Sequence, residues 1–218
     1  MMGTTRPRAL VFDWDNTLVD TWPAIHHALG VTFEAMGMTP WTFEETKQRV
    51  RASARDAFPK LFGARTEEAT RIFYGTFEAD HLETLRAMPG AGPMLDALYA
   101  EGLALAVVSN KRGNILRREA EHLGWTGYFH RLVGATDAPR DKPACEPVAM
   151  ALEGTDVALG EEVWFVGDTD IDVECALNSK CRPILLRSAP PGDGEFGLDI
   201  VVDHVPTCQK LQEMLTMT

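Results

Sequence analysis

The chain has 218 residues, 45% of them hydrophobic and 24% charged, with a formal net charge of −11. The hydrophobic share supports a globular core. The acidic balance excludes the basic surface that nucleic acid or an anionic membrane would require. The four cysteines, Cys145, Cys175, Cys181 and Cys208, form neither a CxxC pair nor a Cys/His metal spacing, which points to reduced thiols and a cytoplasmic location. The polar start "MMGTTRPR" has no signal-peptide stretch, and no later run is long enough to span a bilayer.

In chain order, the first apolar run is "ALVFDWD" (9–15), which ends in two carboxylates, Asp13 and Asp15. In a strand, residues i and i+2 point to one side, so the two carboxylates are expected to crowd together and repel each other. Such a pair suits a site that binds a cation, or that needs one ionised carboxylate and one able to carry a proton. Residues 20–88 then contain no good strand and read as helices. One covers 24–37, a second begins at the capping box of Thr42 and Glu45, and a third covers 67–88. From 89 onward strands and helices alternate. Strands are expected at 103–110, 131–137, 163–169, 183–188 and 199–203, with helices at 92–102, 112–124, 147–154 and 170–179. The strands are continuously apolar, as parallel strands buried on both faces are. The expected fold is α/β: a doubly wound parallel sheet formed by 1–19 and 89–218, with a helical cap, 20–88, inserted after the first strand. An insertion there lies over the carboxyl ends of the strands, where open α/β sheets bind ligands.

Four motifs fall at expected strand ends: Asp13-x-Asp15, Ser109-Asn110, Lys142-Pro143 and Gly167-Asp168-x-x-x-Asp172. A set of this kind suits attack on a phosphate monoester. At an effective dielectric of about 20, each like-charge pair at roughly 3.5 Å costs about 5 kcal/mol, so an anionic nucleophile needs cations at the phosphate. Mg²⁺ binds through one or two carboxylates plus phosphate and water, and Asp13 and Asp168 are the natural pair. Lys142 adds a point charge for the phosphoryl oxygens, and Ser109 can donate a hydrogen bond to them.

The order and placement of the motifs resemble the haloacid dehalogenase superfamily, in particular its cap-bearing phosphatases of the phosphoglycolate phosphatase group. The resemblance rests on "FDWDNTLVD", "MPGAGPMLDAL", "SNK" and "VGDTDIDVECA" and covers nearly the whole chain. It implies that Asp13 is the nucleophile that forms an aspartyl-phosphate and Asp15 the general acid/base, whose main-chain carbonyl also ligates Mg²⁺. It implies that Asp168 is a direct metal ligand, and that Asp172 holds a metal-bound water or orients Lys142. Ser109, Asn110 and Lys142 are then the phosphate-binding set. The substrate would be a small phosphorylated metabolite, with phosphoglycolate the first candidate, and the protein a monomer or homodimer. A sugar phosphomutase keeps Asp15 and is the alternative on this scaffold. A catalytically silent binding module is the other, against which the intact Asp13, Asp15, Lys142 and Asp168 argue.

Asn16 stands where most members carry glycine, and asparagine tolerates a left-handed backbone. Trp14 should face away from the two aspartates. The segment "RVRASARDAFPKLFG" (49–63) resembles the cap loop that reaches into the site, and it carries Arg55, a candidate for binding an anion on the leaving group. Asp20 and Asp170 read as helix-start charges, Cys145 as a packed thiol, and none of the six histidines as catalytic.

Overall fold

Ala9–Phe12, four consecutive residues without solvent exposure, form the first strand of the computed structural model, which describes residues 6–197, 200 and 202–216. The strands are β1 Ala9–Phe12, β2 Val19–Asp20, β3 Arg86–Ala87, β4 Ala104–Arg112, β5 Arg131–Ala135, β6 Val163–Gly167, β7 Arg182–Leu186 and β8 Asp203–Val205. The helices are α1 Trp22–Ala35, α2 Phe43–Arg49, α3 Ala54–Phe62, α4 Thr66–Thr84, α5 Ala91–Ala100, α6 Gly113–His122, α7 Glu146–Leu152, α8 Asp170–Asn178 and α9 Cys208–Thr216. The chain divides into two compact units. One holds the chain up to Val19 and from Ala87 onward, and the other holds Asp20–Arg86. Among the described residues, no helix is long and apolar enough to cross a membrane.

The first unit is the expected doubly wound α/β layer. Its six strands lie in the order β5-β4-β1-β6-β7-β8, and every pair is parallel. From β1 the chain steps to β4 and β5, then returns to β6 on the other side and continues outward. Right-handed crossovers in opposite directions place their helices on opposite faces. Accordingly α7 and α8 supply Val148, Ala151, Leu152, Cys175 and Ala176 to one core, with Ala9, Val11, Val108, Val133 and Phe165 from the sheet. Leu10, Phe12, Leu105 and Val107 are equally buried and, by strand alternation, face the other way. β1 therefore sits at the point where the strand order reverses, and its carboxyl end opens between two diverging crossovers.

The second unit is helical and has its own core. Phe33, Phe58, Phe62 and Leu29 are buried together, with Trp41 and Phe73 packed against them. The Phe33 and Trp41 ring centroids are 4.7 Å apart, and those of Phe58 and Phe62 are 5.1 Å apart. The capping box forms as expected: Glu45 N–H donates to Thr42 Oγ1 at 3.2 Å, and Thr42 N–H to Glu45 Oε2 at 2.9 Å.

Several boundaries differ from the sequence reading. The segment 49–63, expected as a loop, holds α3, because Phe58 and Phe62 are one turn apart and both reach the core despite Pro59 within the helix. The third helix stops at Thr84, and β3 follows it and pairs with β2 where the chain crosses between units. Two-residue strands carry no periodicity to read. β4 runs on through Ser109 and Asn110 to Arg112, with a register shift between Val108 and Arg112. The last strand is Asp203–Val205 rather than 199–203, and of that expected run residues 199 and 201 lie outside the described residues. Helices α5 and α7 stop as expected, with Gly102 and Gly154 just beyond at φ 74° and 89°.

One close approach tests this packing. A Cβ on Gly134 in β5 would lie 2.4 Å from the Gly113 Cα and 2.6 Å from the Lys111 carbonyl oxygen, all backbone that cannot swing aside. A Cβ on Gly75 in α4 would meet nothing within 4 Å. Gly134→Ala should therefore lower stability by about 1–3 kcal/mol, while Gly75→Ala should raise it by up to about 1 kcal/mol. Urea unfolding of the two variants reads both signs.

Candidate active site

Register brings the motifs to one level. Phe12 of β1 lies opposite Val107 of β4 and Val166 of β6, so Asp13 and Asp168 follow at adjacent strand ends, with Ser109 two residues past Val107 inside β4. Asp13 N–H still donates to the Val166 carbonyl at 2.8 Å. The extended strand ends at Phe12, so strand alternation does not place Asp13 and Asp15, contrary to the sequence reading. Asp15 forms an isolated backbone bridge with Val19, and Asn16 takes φ 63° in a tight turn closed by Leu18 N–H to the Trp14 carbonyl at 3.0 Å.

Lys142 is 3% exposed, and its Nζ lies 2.5 Å from Asp13 Oδ1 and 2.7 Å from Asp172 Oδ1. The other oxygen of Asp172 caps α8. It accepts from Asp168 N–H at 3.2 Å, Thr169 N–H at 3.1 Å and Thr169 Oγ1 at 2.9 Å. Both Asp172 oxygens are thus engaged, which suits the role of orienting Lys142. The fold makes room for this at Gly167, where a Cβ would lie 2.3 Å from Asp172 Cβ. Asn110, expected at the phosphate, bonds through its side chain to the Lys142 backbone. Its Oδ1 accepts from Lys142 N–H at 3.0 Å, and its Nδ2 donates to the Lys142 carbonyl at 3.3 Å. It clamps the backbone that carries the lysine.

Asp13, Asp168 and Asp172 each offer an oxygen within 4.8 Å of the others, a set that could hold a metal ion. The electrostatics fit a divalent cation. Burial, with Asp172 and Asp15 nearby, pushes Asp13 up to about 7 even though Lys142 opposes the shift. Burial, with Asp172 and Asp13, also holds Asp168 well above the ordinary carboxylate range. Burial alone would push Lys142 down, but Asp13 and Asp172 outweigh it and hold it above the ordinary lysine range. One buried ammonium among three carboxylates leaves negative charge uncompensated, and hard oxygen donors are what Mg²⁺ takes.

Sequence reasoning missed four contributors. Thr17 Oγ1 donates to Asp168 Oδ1 at 3.2 Å, and Arg187 donates to the Asp168 carbonyl at 3.3 Å. Lys111 Nζ lies 2.6 Å from Asp15 Oδ1 and 2.6 Å from Glu119 Oε2. Trp14 is fully buried, and its Nε1–H donates to Glu119 Oε2 at 2.7 Å. The signal for Glu119 is present in the sequence: it falls on the same helix face as Ile115, Leu116 and Ala120 of α6.

Ser109 is buried, and its Oγ accepts from Lys111 N–H at 3.1 Å. A hydroxyl that accepts there keeps its proton for another acceptor. Arg55 is exposed in the first turn of α3, within the helical unit. Asp20 Oδ1 accepts from Trp22 N–H at 3.3 Å at the start of α1. Cys145 sits at the start of α7, with its thiol near Glu146.

Comparison with known proteins agrees with this geometry. The family model of the haloacid dehalogenase-like hydrolases matches residues 10–186. A phosphoglycolate phosphatase of Aquifex aeolicus is 30% identical, over 82% of this chain and 84% of its own. One of Agrobacterium fabrum is 32% identical, over 81% and 79%. Among solved structures, a hydrolase of the superfamily from Ehrlichia chaffeensis is 27% identical, covers 97% of each chain and superposes with a TM-score of 0.67. Another from Geobacter sulfurreducens, 18% identical, covers 96% of this chain and 97% of its own and shares the fold with a TM-score of 0.70. By the match across most of its length, this chain belongs to the haloacid dehalogenase-like hydrolases.

Proposed function

We propose that the protein is a Mg²⁺-dependent phosphatase that hydrolyses a small phosphomonoester through an aspartyl-phosphate. The observation that carries this reading is a buried lysine held between Asp13 and Asp172, with Asp168 at the adjacent strand end. Asp13 and Asp168, with the main-chain carbonyl of Asp15, would hold the ion, and Asp172 would act through Lys142. Mg²⁺, when bound, supplies positive charge between the carboxylates and the phosphoryl oxygens.

The remaining chemistry belongs to the chain. An Asp13 carboxylate oxygen forms a bond to phosphorus as the bond from phosphorus to the leaving oxygen breaks. Asp15 gives its proton to that oxygen, releasing the alcohol. Asp15, now ionised, takes a proton from a water that attacks phosphorus, and the aspartyl-phosphate bond breaks to give inorganic phosphate and free Asp13. Lys142 supports both steps by placing positive charge beside Asp13, where the phosphoryl oxygens gather. Ser109 donates its hydroxyl proton to the same group. The named relatives make phosphoglycolate the first substrate to test. Arg55 is the helical unit's candidate for reading a carboxylate on that leaving group.

p-Nitrophenyl phosphate assayed with and without Mg²⁺ tests the reading directly, and EDTA should abolish turnover until Mg²⁺ is restored. The linked pH effect has a definite sign. In the metal-free fold Asp13 sits near 7 rather than 3.8, so its protonated form favours folding. That contribution is complete below pH 4 and is lost as the pH rises through about 7. Protons and Mg²⁺ compete for the same carboxylate, so the rise in melting temperature given by Mg²⁺ should be larger at pH 8 than at pH 5.5.

The two aspartates should separate kinetically. Asp13→Asn should lose both turnover and the acid-stable phosphoprotein, because an amide is a poor nucleophile. Asp15→Asn should slow turnover by about 10²–10⁴-fold while still forming the phosphoenzyme from p-nitrophenyl phosphate. Near wild-type turnover in Asp13→Asn would place the nucleophile elsewhere.

Arg55→Ala should lower kcat/KM for phosphoglycolate and leave p-nitrophenyl phosphate nearly unchanged, since nitrophenolate offers no carboxylate to bind. Equal kinetics with both substrates in wild type and variant would remove Arg55 from substrate selection.

A further inference from the structure

Trp14, Glu119, Lys111 and Asp15 close a ring. The indole holds Glu119 at 2.7 Å, Glu119 holds Lys111 at 2.6 Å, and Lys111 holds Asp15 at 2.6 Å. The Trp14–Asp15 peptide bond completes the circuit. Burial falls off along the ring. The side chains of Glu119, Lys111 and Asp15 are 0%, 5% and 19% exposed, so the network is sealed at Glu119 and opens at Asp15. Lys111 lies in the register shift of β4, an irregularity that re-aims side chains. Its backbone N–H is tied to Ser109.

A buried ion pair is a weak stabiliser, and apolar side chains of similar volume usually serve as well. What the ring does that apolar packing cannot is hold one carboxylate oxygen of Asp15 in place. The need is specific to this site. Asp13 and Asp15 are two residues apart, and Lys142 is engaged by Asp13 and Asp172. Without a cation of its own, Asp15 would compete for Lys142 or turn to solvent.

We propose that Glu119, anchored by Trp14, and Lys111 are positioning residues that hold the Asp15 carboxylate for proton transfer, as a second lysine-centred triad beside that of Lys142. The proposal rests on the phosphatase reading of Asp15. It makes Glu119, a residue on α6 outside every motif named above, a determinant of rate.

The test separates the two chemical steps of the full-length enzyme. Nitrophenolate leaves without a proton from Asp15, whereas attack of water on the aspartyl-phosphate requires Asp15. Glu119→Gln keeps an acceptor for the Trp14 indole and removes the charge that holds Lys111. With p-nitrophenyl phosphate and Mg²⁺ in rapid-quench experiments, this variant should release its first equivalent of nitrophenolate at close to the wild-type rate. Steady-state turnover should fall about 10–100-fold, with phosphoenzyme accumulating as in Asp15→Asn. With an alkyl phosphate both phases should slow. Trp14→Phe, which keeps the aromatic packing and removes only the indole donor, should show the same split to a smaller extent and melt cooperatively. Unchanged steady-state turnover in a folded Glu119→Gln or Trp14→Phe protein would overturn the proposal. So would an equal loss in the burst and the steady state, which is damage to the fold or to Asp13. A wild-type enzyme that does not turn over p-nitrophenyl phosphate with Mg²⁺ would instead overturn the phosphatase reading and the relay with it.

Discussion

A single ammonium shared by two buried carboxylates organises this molecule's open sheet end. Lys142 arrives from the loop after β5, Asp13 from the end of β1 and Asp172 from the first turn of α8, so three separate segments must be placed correctly for one set of contacts to form. Much of the surrounding structure serves that placement. Asn110 grips the backbone of Lys142 from both sides. Asp172 is fixed by the capping of α8, and Gly167 leaves the space its carboxylate group occupies. Leaving any one of these charges buried without its partner would cost several kcal/mol, roughly 3–5 by the measure of other proteins.

The same constraint explains why a second lysine is needed. A nearby carboxylate disfavours ionisation of its neighbour, and Asp15 is among the groups that raise Asp13. The fold gives each its own cation: Lys142 for Asp13 and Lys111 for Asp15. Each lysine is then shared with a second, more deeply buried carboxylate, Asp172 or Glu119. Among the described residues five carboxylates face two lysines in this arrangement, which could take a hard divalent cation. The carboxylates whose ionisation burial most opposes, Asp13 and Asp168, are those best placed to gain from such an ion.

The division into two units matches a division of chemical labour in the proposed reaction. The phosphoryl machinery lies wholly in the α/β unit, with the candidate nucleophile, acid/base, ligands and lysines all in or after its parallel strands. The helical unit has an independent aromatic core and contributes none of them. Under the proposal, Arg55 is that unit's candidate for reading the leaving group.

The residues proposed to do the chemistry were legible because they are short-range motifs at ends of apolar runs. Continuous burial in β1 and β6 and the alternation of strands with helices are local properties, and they implied a parallel sheet. Asp13, Lys142, Asp168 and Asp172 then stood out as charges where a buried strand stops. The turn at Asn16 was equally local, since asparagine tolerates the left-handed backbone it takes. What support each of these groups receives was decided by tertiary structure. Glu119 is eight residues from Lys111 and far from Asp15 in the chain, and only the docking of α6 against β4 makes them partners. The bonds of the Asn110 amide to the Lys142 backbone likewise form only because segments 32 residues apart meet. The helix α3 replaced an expected loop because Phe58 and Phe62 found a core assembled from α1 and α4. Local periodicity and charge placement reside in the sequence, because they act over a few bonds. The pairing of buried charges does not, because it depends on which distant segments exclude water together.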